Sequence, residues 1–454
     1  MTSLITIAQK LQHFIIFYFF AAVSFVRLFS YLRSLYFGRN GAHVYRPISI
    51  LVPAFNEEET IAHNVSSLLE IKYPQYEVLV ISDGSTDSMV RNLISQFEMV
   101  PFKKVCKRTL ETKPVNAVYR SISHPNLYLI DKDRGGKSDT LNAGINYSTY
   151  PIFCSVDADS ILEEDALLRA SRLFTEDSRV IAVGGVVRVI NGSTVERGRV
   201  TKIELPKRLI ERFQVIEYMR GFLAGRTAWN AFGSLFIISG TFSLLRKSAA
   251  LAVGGYRNDS ITEDMDIIVR LHLHFREVGE PYRITFIPDP ICWTQAPSDW
   301  RSLLEQRNRW QRGLVKTLWN YRSALLNPKF GTVGLLGYPY FLIFEGLGPV
   351  VEILGYASVV LLYFTGLLSP EFAVLFFLVA LLFGALLNVG SVLLENFLFK
   401  RYEKASALLK LVAFGFAEYF GYRQIVSVER VIATFQAGDR HWSKPRRKTL
   451  EQRA

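Results

Sequence analysis

The sequence predicts an α/β protein, built of parallel strand–helix units with helices on both faces and flanked by helices of membrane type. Three observations carry that expectation. Short β-rich apolar runs at residues 48–52, 76–82, 127–130 and 152–156 alternate with helical stretches such as 57–70 and 137–147, the order that builds parallel β/α units. The last two runs lead straight into Asp131 and Asp157, and ligands of such sheets bind beyond the carboxyl ends of the strands. Uncharged segments of bilayer length lie towards both ends of the chain.

At 454 residues the chain is too long for one simple core and suggests two or three units. Its hydrophobic fraction of 49%, with 33 Phe and 21 Tyr, is concentrated near the ends, as a membrane protein requires. The net charge of +12 comes from basic residues gathered beside apolar segments. Anionic headgroups and nucleotide phosphates explain such a charge better than nucleic acid, which would call for basic residues interleaved with aromatics in a compact domain. Cys106, Cys154 and Cys292 are far apart, with no CxxC spacing, so neither a disulfide framework nor a zinc site is expected, and a reducing compartment fits.

Taken in chain order, residues 11–26 carry no charge and the apolar character runs on past Arg27 to residue 36, enough for one span if Arg27 snorkels. Only Lys10 precedes it, whereas Arg27, Arg33 and Arg39 follow, which places the following residues in the cytoplasm. A cleaved signal peptide would need a basic leader and a small-residue cleavage site, and neither is evident. Residues 1–45 therefore read as an N-terminal transmembrane helix and linker, 46–325 as a cytoplasmic catalytic domain, 326–437 as interfacial and transmembrane helices, and 438–454 as a basic cytoplasmic tail around Lys444-Pro445-Arg446-Arg447-Lys448. Residues 353–370 and 372–394 are charge-free and read as a hairpin through the bilayer; Lys400, Arg401 and Lys404 follow it. Residues 330–344 suit an interfacial helix. Residues 405–436, interrupted by Lys410, Glu418, Arg423, Glu429 and Arg430, suit an interfacial or a broken helix. Three full spans satisfy these signs, and five would also do so. Glu345 and Glu352 would share a helical face, either lining a polar path or resting at headgroup level.

Each motif allows two readings. In Pro53-Ala54-Phe55-Asn56-Glu57-Glu58, Asn56 is either a helix N-cap or part of a nucleoside pocket. In Ser82-Asp83-Gly84-Ser85-Thr86-Asp87, Asp83 is turn chemistry or a ligand group. Gly135-Gly136-Lys137-Ser138 puts Lys137 at a helix start suited to phosphate, though the spacing is not that of a P-loop. Asp157 and Asp159 at a strand end can converge on a divalent cation, with substrate phosphates completing its shell; the competing reading makes Asp159 or Ser160 the cap of a helix at 163–174. In Thr262-Glu263-Asp264, Ser260 and Glu263 have capping-box spacing before a helix at 265–273, while Asp264 is suited to take a proton from an acceptor hydroxyl. Gln306 and Trp310 fall four apart on one helical face; Arg309 matches phosphate and Trp310 offers a flat face to a sugar. Arg301, Arg307 and Arg312 fall on the other faces, where an interfacial basic-aromatic helix would place them. His272 and His274, two apart on a helix, do not face one point.

With six motifs in strict order, Pro53-Ala54-Phe55-Asn56-Glu57, Ser82-Asp83-Gly84-Ser85-Thr86-Asp87, Asp157-Ala158-Asp159, Ser239-Gly240-Thr241-Phe242, Thr262-Glu263-Asp264 and Gln306-x-x-Arg309-Trp310, residues 46–325 resemble the membrane-bound family 2 glycosyltransferases, which include synthases of cellulose, chitin, hyaluronan and poly-N-acetylglucosamine. The resemblance implies a GT-A nucleotide-diphospho-sugar transferase domain, with Glu57 and Asp83 near the nucleoside, Lys137 near uracil or phosphate, and Asp159, joined by Asp157, on Mg²⁺ or Mn²⁺. It implies Asp264, with Glu263 beside it, as the base of an inverting displacement. Gln306, Arg309 and Trp310 would hold the pyrophosphate and frame the acceptor sugar, beside Gly240 and Thr241. Residues 238–256 look most like the poly-N-acetylglucosamine synthases. Ser82 stands where many relatives have a second Asp, and one N-terminal span where several have two.

The function expected from this resemblance is transfer from a UDP-sugar, UDP-N-acetylglucosamine as best guess, to a growing β-linked extracellular polysaccharide, coupled to export across the cell membrane. Alternatives are a transferase adding one sugar to a lipid carrier or glycolipid, and a catalytically silent membrane scaffold. The expected partners are the donor, a carbohydrate or glycolipid acceptor and the lipid bilayer, with an accessory subunit left open.

Overall fold

The computed structural model describes residues 45–196, 198–399, 402 and 404–436. The expected span at 11–26 and the basic tail lie outside the described residues. Ten strands form one sheet in the order β3-β4-β5-β2-β1-β6-β11-β8-β12-β7. They are β1 (Ile48–Ala54), β2 (Tyr76–Asp83), β3 (Met99–Pro101), β4 (Val115–Ser121), β5 (Leu127–Lys132), β6 (Ile152–Val156), β7 (Ile161–Leu162), β8 (Val180–Val189), β11 (Phe242–Arg246) and β12 (Arg283–Thr294), while β9 (Thr194–Glu196) and β10 (Arg199–Lys202) pair separately. Strand β1 runs parallel to β2 and β6, and β2 parallel to β5. These strands are apolar on both faces, as strands covered twice must be: Ile48, Ile50, Leu51, Val78, Leu79 and Ile81 are wholly buried. The covering helices are α1 (Ile61–Leu69), α2 (Met89–Gln96), α3 (Lys137–Tyr147) and α4 (Ala166–Glu176).

The sheet departs from the parallel expectation at β4, β7 and β11, which run antiparallel to their neighbours. Strand β11 has a topological reason. After β8 the chain makes a long excursion along the carboxyl edge of the sheet, through α5 (Leu209–Tyr218) and a π-helical stretch, Met219–Arg226. Re-entering from that edge, it must run opposite to β6 and β8. Its start therefore lies beside the end of β6, with Phe242 opposite Val156. Helix α6 (Glu263–Val278) starts at this edge, and α7 (Trp300–Asn320) follows β12 from it.

The C-terminal region packs α8 (Gly348–Phe364), α9 (Pro370–Phe399), α10 (Ala405–Ala417) and α11 (Tyr422–Phe435) beside α5 and α7. Among the described residues no single helix is long and apolar enough to cross a membrane; Val333–Gly346 and Gly348–Phe364, bent by 44°, reach that length and apolarity together. The expected interfacial helix at 330–344 is a run of short π-helical and α-helical turns. The 405–436 stretch is broken, as one of its two readings has it, beside Gly421, whose φ of 100° suits glycine.

Candidate active site

Each parallel strand ends in a loop on the same edge. After β1, Asn56 adopts φ 52° and turns its side chain sideways: Oδ1 accepts from Thr86 N–H at 2.9 Å, and its own N–H donates to Ser85 Oγ at 3.2 Å. Its reading as an N-cap is corrected, because α1 begins only at Ile61, behind Thr60. Glu57 accepts the Thr60 hydroxyl at 3.1 Å. After β2, Asp83 Oδ1 accepts from the buried Lys132 ammonium at 2.9 Å and from Gly135 N–H at 2.8 Å, while Oδ2 accepts from Gly136 N–H at 2.8 Å. Burial pushes this carboxyl up, but the Gly135, Lys132 and Gly136 donors outweigh it and hold the pKa below the usual value. Asp83 thus takes the two glycine amides that precede α3, while Lys137 opens the helix. Gly136, at φ 89°, makes the turn that aims both amides at Asp83.

After β6 come Asp157 and Asp159. Neither Asp159 nor Ser160 caps a helix: residues 161–162 form β7 and α4 starts at Ala166 with Asp165 at its N-cap. The Lys137 ammonium lies 2.7 Å from Asp157 Oδ1 and 2.8 Å from Glu263 Oε1. Burial alone would lower its pKa, but the two carboxylates raise it well above the ordinary value. The capping box expected from Ser260 and Glu263 does not form; Thr262 is the N-cap, without a side-chain bond, because Glu263 turns to Lys137. Asp264 Oδ2 accepts from Gly240 N–H at 3.0 Å and Oδ1 from Met265 N–H at 2.9 Å. Burial, then the neighbouring Glu263, pushes the Asp264 carboxyl above the usual range, against the opposing pull of Lys137 and the two amides. A carboxylate so placed can take a proton from a hydroxyl.

Helix α7 is capped by Asp299, which accepts from Ser302 N–H at 2.9 Å. Gln306 is buried and Trp310 stands at the rim. Arg307 and Arg312, expected on outer faces, are buried against the cavity instead. The correction has a cause in packing: α5 and α11 cover the flank of α7 that the sequence leaves open. Arg307 pairs with Glu217, bonds Gln306 Oε1 at 2.6 Å and lies 4.4 Å over the Trp310 ring, while Tyr422 donates to Glu217 at 2.9 Å. Glu217, Arg220 and Arg226 all face the cavity and were not singled out from the sequence. Their signal was there: three charges set in the apolar and aromatic run 213–232 need partners or a ligand.

One cavity of about 1540 Å³ is lined by all twelve residues singled out beforehand: Glu57, Asp83, Lys137, Asp157, Asp159, Gly240, Thr241, Glu263, Asp264, Gln306, Arg309 and Trp310. It continues past Asp264 to Glu345, Glu352 and the C-terminal helices. Among the described residues no group of three or more His, Cys, Asp or Glu side chains forms a metal cage. The pair Asp157 and Asp159 still fits a divalent cation, since Mg²⁺ takes one or two carboxylates and completes its shell with substrate phosphates and water; Asp157 already faces an ammonium here.

The profile described as glycosyltransferase like family 2 matches residues 46–313. A poly-beta-1,6-N-acetyl-D-glucosamine synthase of Staphylococcus aureus (strain COL) is 29% identical over 318 residues, 70% of this chain and 64% of its own length. The synthase of that name from Staphylococcus epidermidis is 27% identical over 307 residues, 67% of this chain and 61% of its own. The chain thus covers less than two thirds of the length of these curated relatives. Among solved structures, a mannosyltransferase from Pyrobaculum calidifontis in complex with GDP-Man and Mn2+ shares the fold, with a TM-score of 0.51, 19% identity, and coverage of 89% of this chain and 97% of that one.

Proposed function

The chain belongs to glycosyltransferase like family 2 and is a glycosyltransferase, and from that premise we propose that it transfers N-acetylglucosamine from a UDP-sugar to a growing β-linked polysaccharide at a membrane. The observation that carries the reading is the gathering of Asp157, Asp159, Glu263, Asp264 and the Gln306–Trp310 turn around one cavity. The choice of sugar rests on the names of the relatives. Membrane placement rests on the C-terminal helices: Val351, Leu354, Val360, Leu361 and Phe364 on α8 are all exposed, an apolar surface that water would not favour. Residues 46–325 would then be the cytoplasmic catalytic domain, with the interfacial and spanning helices at 326–437.

In this mechanism Glu57 and Asp83 border the nucleoside, Asp83 by holding the Gly135–Gly136 turn. Asp157 and Asp159 would hold Mg²⁺ or Mn²⁺, which when bound neutralises charge on the leaving diphosphate. Arg309 and Gln306 take the diphosphate oxygens. Asp264, fixed by the Gly240 and Met265 amides, removes the proton from the acceptor hydroxyl. That oxygen forms a bond to C1 as the bond from C1 to the diphosphate oxygen breaks on the opposite face, turning an α donor into a β product. Trp310, with Gly240 and Thr241, frames the acceptor sugar. The test is a donor screen on lipid-reconstituted protein with Mg²⁺ or Mn²⁺, following UDP release and product size together. Release from UDP-N-acetylglucosamine with a high-mass product supports the reading. Short, solvent-extractable product would replace it with single-sugar addition to a lipid.

A further inference from the structure

The π-helical stretch Met219–Arg226 forms a wall of the cavity that none of the motifs accounts for. Tyr218, Phe222 and Arg226 recur every fourth residue and lie on one another: the two rings are stacked with centroids 5.2 Å apart, and the Arg226 guanidinium lies 3.6 Å over the Phe222 ring. All three line the cavity, as do Gly221 and Gly225. A side chain added at Gly221 would meet nothing within 4 Å, so this part of the wall is bare backbone facing open space. Of the two arginines here, Arg220 is paired with Glu418. Arg226 has no ion pair among the described residues, and its Nη1 is buried without a hydrogen-bond acceptor. Arg226 is otherwise partly exposed, and a buried guanidinium nitrogen left in that state is costly unless an oxygen atom reaches it. Burial pushes its pKa down to about 10, with Asp264 opposing that shift.

We propose that this wall is a saccharide subsite, in which an acceptor sugar behind the reacting one rests on the bare backbone at Gly221 and receives hydrogen bonds from Arg226. It rests on the transfer reaction proposed above. The ligand class follows from the surface. Bare glycine backbone leaves room for the face of a sugar, and one planar fork of donors suits its hydroxyl or amide oxygens. A diphosphate would call for several cations, and those stand elsewhere in the cavity, at Lys137 and Arg309. The wall also packs against α9, and Arg226 feels the charge of Asp264, which sets the wall between that carboxylate and the C-terminal helices.

The test uses full-length protein in lipid with UDP-N-acetylglucosamine and a matching oligosaccharide acceptor, measuring both KM values and, separately, UDP binding by calorimetry. Arg226→Ala should raise the acceptor KM about ten- to a hundredfold, the loss expected for a charged hydrogen bond, with UDP affinity unchanged. Gly221→Leu starts from a Cβ with nothing within 4 Å and projects into the open space; it should raise the acceptor KM and shorten the product, again with UDP binding intact. If Arg226→Ala weakens UDP as much as acceptor, the guanidinium reads the diphosphate and the subsite is refuted. The subsite is equally refuted if neither variant moves the acceptor KM. Failure of the wild type to turn over any nucleotide-sugar would instead overturn the proposed function.

Discussion

The ammonium of Lys137, 2.8 Å from Glu263 Oε1, joins the start of α3 to the start of α6 while also holding Asp157 at 2.7 Å. One cation thereby stands between the carboxylates that follow β6 and those that open α6. Its charge is among the influences that lower the Asp264 pKa, which burial and Glu263 raise. As the proposed base Asp264 must be ionised, so activity should fall as pH drops through that raised pKa. Removing the Lys137 charge favours the protonated acid further. In Lys137→Gln the acidic limb of kcat/KM against pH should therefore move to higher pH, whatever is lost in absolute rate; an unmoved limb would mean that Lys137 does not act on the base.

Asp264→Asn keeps the shape of the side chain and removes its capacity to take a proton. Transfer should fall by about 10²- to 10⁴-fold, while UDP binding by calorimetry stays close to wild type. Retention of full turnover would assign the base elsewhere.

Arg307 is buried against Glu217, so breaking this pair leaves a charge without its partner. Glu217→Gln should cost about 3–5 kcal/mol in unfolding stability. The double change Glu217→Leu with Arg307→Met should cost less than the single one, because both charges leave together. Thermal unfolding of the three proteins in one detergent decides this.

Gly313 of α7 faces Thr262, and a methyl group there would overlap the Thr262 side chain. Gly313→Ala should displace the turn carrying Glu263 and Asp264 and lower kcat by about a hundredfold, the usual result of misplacing a reacting group by an ångström. Circular dichroism should show the fold intact.

His272 lies within α6, with Nε2 2.9 Å from Leu235 O and Nδ1 2.8 Å from the Tyr282 hydroxyl. Burial pushes its imidazole from 6.5 down to about 4. Below 6.5 the unfolded chain takes up a proton that the folded one refuses, so this contribution to stability is present above pH 6.5 and is lost as pH falls towards 4, up to about 3 kcal/mol. The unfolding temperature of the wild type should fall across that window, and that of His272→Gln should fall less.

The features legible in the sequence were those written in consecutive residues. Strand β6 and helix α3 have the boundaries that their apolar run and their Gly-Gly start suggest, and each of the motifs brings at least one residue to the cavity, although Asn56 is not among them. What escaped depended on partners distant in the chain. The reversed direction of β11 follows from an excursion whose course no local pattern records. Arg307 reads like an outer residue until α5 and α11 are in place, and Asp83 reads like a turn residue until Gly135 and Gly136 are brought to it. The capping readings of Asn56, Asp159 and Ser260 fail for a related reason: each has a partner, or a strand, that competes with the helix start.

The bonds that tie α7 and the π-helical wall to the far end of the chain bear on how this enzyme can be handled. Arg220 reaches Glu418 at 2.9 Å, Asn308 reaches Glu429 at 2.7 Å and Gln311 reaches Gly346 O at 2.9 Å, while Arg188 of β8 pairs with Glu395 of α9. A chain severed after residue 325 would keep every motif and lose all four anchors, leaving buried charges widowed and an oily flank turned to water. The catalytic half is no detachable soluble enzyme, and efforts to crystallise or assay it alone would be studying a wound surface.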